Sequence, residues 1–179
     1  MSQSVLPGLS TKKWIASSAV VSSCGNYRYE LTRTLATGAG TVLFIMLNPS
    51  KADGKDDDAT LRRCIGYATK WGYRALVVCN LFAYRATDPR DLRKALALGV
   101  DVVGPENDAF LKKHVSGDAT AIVCAWGPGG EIEGRDNVVR KMVCDLGKQS
   151  YVLQFGVGGH PLHPLRLSKE LLPIRWNHG

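Results

Sequence analysis

Four continuous apolar runs, separated by segments with helical periodicity, constrain the fold of this chain most strongly. The runs are TVLFIML from Thr41, ALVVCNLF from Ala75, ATAIVCAW from Ala119 and SYVLQF from Ser150. Such runs are typical of strands that are buried on both faces. Because parallel strands require crossover connections, the alternation predicts a three-layer α/β/α sandwich around a central four-stranded parallel sheet.

Capping and periodicity place the helices between these runs. Asp58 precedes a segment, 59–71, in which apolar residues recur at i, i+3, i+4 and i+7. Further helices are expected in TDPRDLRKALAL from Thr87, in ENDAFLKKHV from Glu106 and over residues 136–146.

Two β-prone pieces precede the first apolar run. They cover 15–21 and 27–35 and predict an N-terminal hairpin or two edge strands. With 179 residues and no long linker, we interpret 1–179 as a single domain. It consists of a β extension over 1–40 and a core over 41–167.

The net charge and the cysteine content restrict the class of function. Lysine plus arginine exceed aspartate plus glutamate by 23 − 16 = +7, which favours a polyanionic partner. The five cysteines form no CxxC pair, so neither a disulfide framework nor a zinc cluster is expected. No run is long enough to span a bilayer and no signal peptide is evident, which predicts a cytoplasmic protein with no membrane partner.

Polar or glycine- and proline-rich residues follow each predicted strand. The strand ends read NPSKAD, NLFAYR, WGPGG and GVGGHPLHP. Because the carboxyl ends of parallel strands meet at one edge of a sheet, these four segments are expected to form one site. Asn48, Asn80, His160 and His163 are the candidate functional residues within them.

The order and content of these motifs resemble the uracil-DNA glycosylase superfamily. Its first strand ends in GQDPYH or GINPG, where this chain has LFIMLNPS, and its second reads LLLNxxLTVR, where this chain has LVVCNLFAYR. The third motif, FLLWGxxA, is similar to AIVCAWGPGG, and the last, HPSPLS, to HPLHPL from His160. The resemblance covers 41–167 and implies a glycosylase-like fold.

The resemblance implies hydrolysis of the N-glycosidic bond of a base in DNA, RNA or a nucleotide. Asn48 takes the place of the residue that positions water, and Asn80 that of the residue that hydrogen-bonds the base edge. His163 or His160 takes the place of the histidine that donates to the departing base, and we slightly favour His163. No cofactor is implied, because protein groups can supply this electrostatic stabilisation.

Departures from the family motifs leave the substrate base open. Met46 replaces the glycine of the first motif, and Ser50 or Lys51 replaces its tyrosine, so uracil specificity is not implied. Asn48 cannot act as a general base, since an amide does not accept a proton as a carboxylate does. A module that binds nucleic acid or a nucleotide without hydrolysis is therefore the first alternative.

Along the whole chain, a second resemblance is to a bacterial and phage family known only as domain of unknown function 1643. The segments CGNYRYELTR, FIMLNPSKAD, DDATLRRCIGYATKWGY, NLFAYRATDP and GPENDAF carry it. This resemblance implies no activity.

Aromatic and polar residues near the strand ends suit a nucleic-acid partner, DNA being favoured, or a nucleotide. Phe82 and Tyr84 alternate, so one of them is expected to stack on a base. Phosphate contacts are expected from a larger set of polar and cationic residues, with Arg90 and Arg93 nearby. This set is Ser50, Lys51, Arg62, Arg63 and Arg85. Such a protein would serve DNA repair or modification.

An aspartate cluster offers a further alternative. Asp53, Asp56, Asp57 and Asp58 could hold Mg²⁺ in a metal-dependent phosphoesterase. We favour a simpler interpretation, in which the last of these acids stabilise the positive end of the following helix. Cys64 lies on the apolar face of that helix and is expected to be buried rather than to act as a nucleophile.

Overall fold

The computed structural model describes residues 13–50 and 56–177, which form one mixed sheet flanked by helices on both faces. The strands in these ranges are β1 (Ala16–Val21), β2 (Arg28–Thr34), β3 (Thr41–Met46), β4 (Ala75–Asn80), β5 (Ala119–Cys124), β6 (Ser150–Val152) and β7 (Ile174–Trp176). The helices are α1 (Ala59–Lys70), α2 (Pro89–Ala97), α3 (Asn107–Ser116) and α4 (Arg135–Asp145), with short 3₁₀ segments at Pro128–Gly134 and Pro164–Arg166.

The described strands form a seven-stranded sheet in the order β1-β2-β4-β3-β5-β6-β7. Strands β4, β3, β5 and β6 are neighbours and run parallel, while β2 is antiparallel to β4 and β7 is antiparallel to β6. The predicted α/β class is confirmed, but the sheet is larger than the four strands expected. The two N-terminal strands extend one edge, and β7 extends the other edge with only three residues, too few to show a pattern.

Alternation of side chains along the strands builds a core on each face of the sheet. In β3, Val42 and Phe44 pack on one face and Leu43 and Ile45 on the other. Helix α1 covers the first face, and α2, α3 and α4 cover the second. No helix in the described ranges combines the length and apolar character needed to cross a bilayer.

The path of the chain creates a crevice beside β3. From β3 the chain passes through α1 to β4 on one side, and it later returns to place β5 on the other side. This reversal is a topological switch point, where α/β proteins bind ligands at the carboxyl ends of the strands. The segments after β3 and β5 therefore border the expected ligand position.

Thiol reactivity tests the burial of the core. Cys64, Cys79 and Cys124 are buried, and burial raises the pKa of each thiol, that of Cys124 to about 12. Cys24 and Cys144 are exposed, and a hydrogen bond with Ser22 lowers the pKa of Cys24. We expect a thiol reagent such as DTNB to label two thiols rapidly in the native protein, Cys24 first, and all five after unfolding. Rapid native labelling of a third thiol would contradict the buried positions.

Candidate functional site

A cavity of about 690 Å³ lies at the switch point, at the carboxyl ends of β3 and β5. Its volume falls within the range of small-ligand sites. Its floor consists of buried side chains, and its rim of exposed ones. The floor includes Arg28, Leu31, Met46, Leu61 and Val78, and the rim includes Thr87, Arg90, Arg93, Pro128, Leu165 and Arg166.

A buried guanidinium lies in the otherwise apolar floor. Arg28 is 4% exposed, and burial lowers its pKa to about 10, an effect that the charge of Asp58 opposes. The guanidinium is therefore still charged at neutral pH. Together with the rim arginines it makes the cavity positive, because Asp58 is the one carboxylate among the described lining residues.

Asn48 follows β3 and lines the cavity. Its Nδ2 donates to the carbonyl oxygen of Ala86 at 2.8 Å and to that of Pro49 at 3.2 Å. These bonds tie the turn after β3 to the segment after β4. They also fix the orientation of the amide, so that Oδ1 is the atom able to accept a hydrogen bond from a ligand or a water molecule.

His163 lines the same cavity from the C-terminal part of the chain. The backbone N–H of Leu165 donates to Nδ1 of His163 at 3.3 Å. Burial lowers the pKa of His163, against the opposing charge of Asp58. The ring is therefore neutral at pH 7, with its proton on Nε2, and can donate one hydrogen bond.

Gly127 connects β5 to the segment that carries His163. Its φ is +75°, in the left-handed region that favours glycine, and its N–H donates to Pro161 at 2.9 Å. A Cβ on Gly129 would come within 2.8 Å of Leu47, so this glycine permits close approach to the turn after β3. The motif WGPGG, which follows β5, thus contacts both the turn after β3 and the segment that carries His163.

His160 does not line the cavity. Its ring packs against Gly156, where an added Cβ would lie 2.6 Å from Nε2. Of the two predicted catalytic histidines, His163 and not His160 lines the cavity that Asn48 also lines.

Asn80 lies at the end of β4 and is 1% exposed. Neither its Nδ2 nor its Oδ1 has a hydrogen-bond partner in the described part of the chain, although such burial is costly. In the sheet, Asn80 lies opposite Met46 of β3. Met46 lines the floor of the cavity, but Asn80 itself is not a lining residue. Contact with a ligand therefore requires its neighbours to rearrange.

The two predicted stacking residues do not reach the cavity. Phe82 is fully buried in the core beneath α2, α3 and α4, because the ladder continues past β4 and its N–H donates to Leu47. Tyr84 is half-buried and makes an edge-on contact with Tyr27. Neither residue is therefore placed to stack on a base in this cavity.

The predicted phosphate contacts are only partly at the cavity. Ser50 is a lining residue and donates to Asp58 at 2.6 Å, while Lys51 lies outside the described residues. Three predicted arginines do not line the cavity but bond to backbone carbonyls of Asp57, Leu165 and Gly25. They are Arg62, Arg63 and Arg85. The rim instead presents Arg90, Arg93 and Arg166.

Two aspartates of the cluster, Asp57 and Asp58, serve the fold. Asp57 forms an ion pair with the fully buried Arg33, and Asp58 caps α1 by accepting from Leu61. Asp53 lies outside the described residues. Within the described ranges, no group of three or more histidine, cysteine, aspartate or glutamate side chains is arranged to hold a metal ion.

Two of the lining arginines were missed in the sequence. Arg28 lies within a predicted β-prone piece and not after a strand, and Arg166 follows the last predicted motif, so neither belonged to a pattern that indicated a site. Arg90 and Arg93 were visible as cations close to the predicted strand ends. Their place at the rim follows from the start of α2, where Asp88 accepts from the N–H of Arg90.

The fold and cavity define an α/β protein with a cationic cavity at its sheet switch point. The chain belongs to the DUF1643 family, described as a protein of unknown function, whose model matches residues 28–165. This range begins at Arg28 and includes both Asn48 and His163. Comparison with curated proteins and with solved structures gives no match to the chain.

Proposed function

We propose that the protein binds a base of a nucleic acid or a nucleotide in this cavity and hydrolyses its N-glycosidic bond. One observation carries the proposal: Asn48 and His163, from opposite ends of the core, line the same cavity. The resemblance of the strand-end motifs to uracil-DNA glycosylases supports it. A glycosylase-like fold is part of the proposal.

His163 stabilises the departing base. As the bond between base and sugar breaks, the electron pair stays on the base, which becomes an anion. A neutral imidazole that donates from Nε2 stabilises this charge, and such a donor is worth about 10²–10³ in rate. The hydrogen bond from Leu165 to Nδ1 holds the required tautomer.

Asn48 orients the attacking water. Its Oδ1 accepts a hydrogen bond from the water and turns the oxygen lone pair towards the sugar carbon. The water must also lose a proton, which an amide cannot take. The departed base anion takes this proton, which completes the hydrolysis.

The arginines of the rim bind phosphate. Arg90, Arg93 and Arg166 are exposed around an opening whose floor is apolar apart from Arg28, so a base can enter while its phosphate stays outside. Of the three, Arg90 also forms an ion pair with Asp88. This arrangement suits a base in nucleic acid, with DNA favoured, or a mononucleotide.

A metal-free glycosylase assay tests the proposal. Labelled DNA and RNA oligonucleotides carrying uracil, mismatched bases and modified bases are incubated with the protein, and abasic product is measured. We expect Asn48→Ala to lower the rate by about 10²-fold or more, since water positioning is lost, with binding changed by less than about 3-fold. Asp145→Asn, which alters an exposed ion pair with Lys141 on α4, is the control and should retain the wild-type rate.

Binding without hydrolysis is the second candidate, and the environment of Asn48 favours it. Its Nδ2 is engaged by two backbone carbonyls, and the side chain has no basicity. If the wild-type protein binds base-containing oligonucleotides tightly but releases no base, hydrolysis is contradicted and this candidate is supported. A product that disappears with EDTA would instead indicate phosphoesterase chemistry at the aspartate cluster.

A further inference from the structure

A β-bulge in the N-terminal strands determines where Arg28 points. Val20 of β1 pairs with Glu30, but the next residue, Val21, pairs with Arg28. Tyr29 is therefore an extra residue in β2, without an opposing partner. An extra residue of this kind shifts the alternation of side chains along a strand.

The bulge places the side chain of Arg28 on the opposite face of β2 from those of Tyr29 and Glu30. The ring of Tyr29 stacks on Phe110 of α3 at 5.2 Å, and Glu30 binds His114 of the same helix at 2.7 Å. Arg28 and Leu31 both line the cavity. In a regular strand Arg28 would share the face of Glu30, so the bulge is the feature that brings a guanidinium into the floor.

Arg28 and Asp58 give the inner cavity a donor side and an acceptor side. A guanidinium presents N–H donors in a planar fork that matches two adjacent acceptors. Asp58 accepts one hydrogen bond at each oxygen, from Leu61 and from Ser50, and each carboxylate oxygen can accept a second. The remaining floor is apolar and suits a flat ring.

We propose that the base bound in this cavity is a 6-oxopurine such as hypoxanthine or guanine, with Arg28 donating to O6 and N7 and Asp58 accepting from N1–H. The inference rests on the proposed function, since it names the base that the same site takes. Arginine bound to O6 and N7 is the commonest specific contact to guanine. Adenine would place its amino donor against the guanidinium, and a pyrimidine has no N7.

Binding measurements on the wild-type protein test the base preference. Calorimetry with IMP, GMP, AMP and UMP at one salt concentration compares the free nucleotides. Two deoxyoligonucleotides, with a central hypoxanthine or adenine, show whether the source is a mononucleotide or a base in DNA. We expect IMP and GMP, or the hypoxanthine oligonucleotide, to bind roughly 5- to 150-fold more tightly than the adenine ligand.

Two matched arginine variants show which arginine determines the preference for a 6-oxopurine. Arg28→Lys keeps the charge but loses the planar fork, so the preference should fall below about 3-fold. Arg93→Lys, at the rim, should leave the preference intact and change the affinity for every nucleotide alike. A thermal melt verifies that each variant is folded.

The outcomes separate this inference from the function on which it rests. Equal affinity of the wild-type protein for IMP and AMP overturns the 6-oxopurine assignment while leaving a base-binding cavity. A preference that survives in folded Arg28→Lys overturns the role of Arg28. If neither nucleotides nor oligonucleotides bind at all, the proposed function fails together with the inference.

Discussion

Replacing Asp57 by alanine is expected to lower the free energy of unfolding by about 3–5 kcal/mol, because it removes the carboxylate that pairs with a fully buried guanidinium. Arg33 of β2 is fully buried, and its Nε and one terminal nitrogen each lie 2.9 Å from Oδ1 of Asp57. The other carboxylate oxygen accepts from the indole N–H of Trp14 at 2.8 Å. Asp57 thus joins the start of α1 to the N-terminal strands.

Urea denaturation of Asp57→Ala and Asp91→Ala checks this expectation. Asp91 forms an exposed ion pair with Lys94, so its removal should cost only about 0–1 kcal/mol. A loss below about 1 kcal/mol for Asp57→Ala would contradict the importance of the buried pair. Adding Mg²⁺ should leave both values unchanged, whereas a Mg²⁺-dependent gain confined to the wild-type protein would support a metal at the aspartate cluster.

Most elements of the core follow from local sequence patterns. The helix predicted over 59–71 is α1 (Ala59–Lys70), and Asp58 caps it as expected, because capping and periodicity are local properties. The apolar runs from Thr41, Ala75 and Ala119 form the adjacent strands β3, β4 and β5, because a continuous apolar run is likewise a local property of the sequence. Because parallel strands end at a shared edge, the segments that follow them contain the candidates Asn48 and His163.

The contents of the cavity depend on interactions that the sequence does not display. Arg28 reaches the floor only because of the bulge at Tyr29, a pairing irregularity without a local pattern. Phe82 is buried because hydrogen bonding to β3 continues beyond β4, and Asn107 of α3 donates to the carbonyl of Leu81 in that extension. Alternation alone predicted one core-facing and one accessible aromatic residue there; Phe82 is fully buried, and Tyr84 is half-buried against Tyr27, away from the cavity.

Under the proposed function, replacing His163 by glutamine is expected to reduce N-glycosidic hydrolysis by about 10²–10³-fold. Glutamine retains a donor, but it cannot reproduce a ring that accepts from Leu165 at Nδ1 and donates from Nε2. Single-turnover release of base, measured beside binding, shows whether the loss lies in the chemical step. The matched variant His160→Gln should stay within about 3-fold of wild type, because that ring packs against Gly156 outside the cavity. A larger loss for His160→Gln than for His163→Gln would show that His160, and not His163, stabilises the departing base.

The same variant reveals the protonation state of His163 through stability. Because burial lowers the pKa of His163 in the folded protein, the unfolded chain binds the proton more readily. The contribution of the neutral His163 ring to the stability of the folded protein is complete above the ordinary pKa of 6.5. It is lost as the pH falls through the lowered pKa of the folded protein. Protonation also gives Nδ1 a hydrogen that opposes the N–H of Leu165. Melting temperatures should therefore fall more steeply below pH 6.5 for the wild-type protein than for His163→Gln, and parallel curves would show that the ring is not held neutral in the cavity.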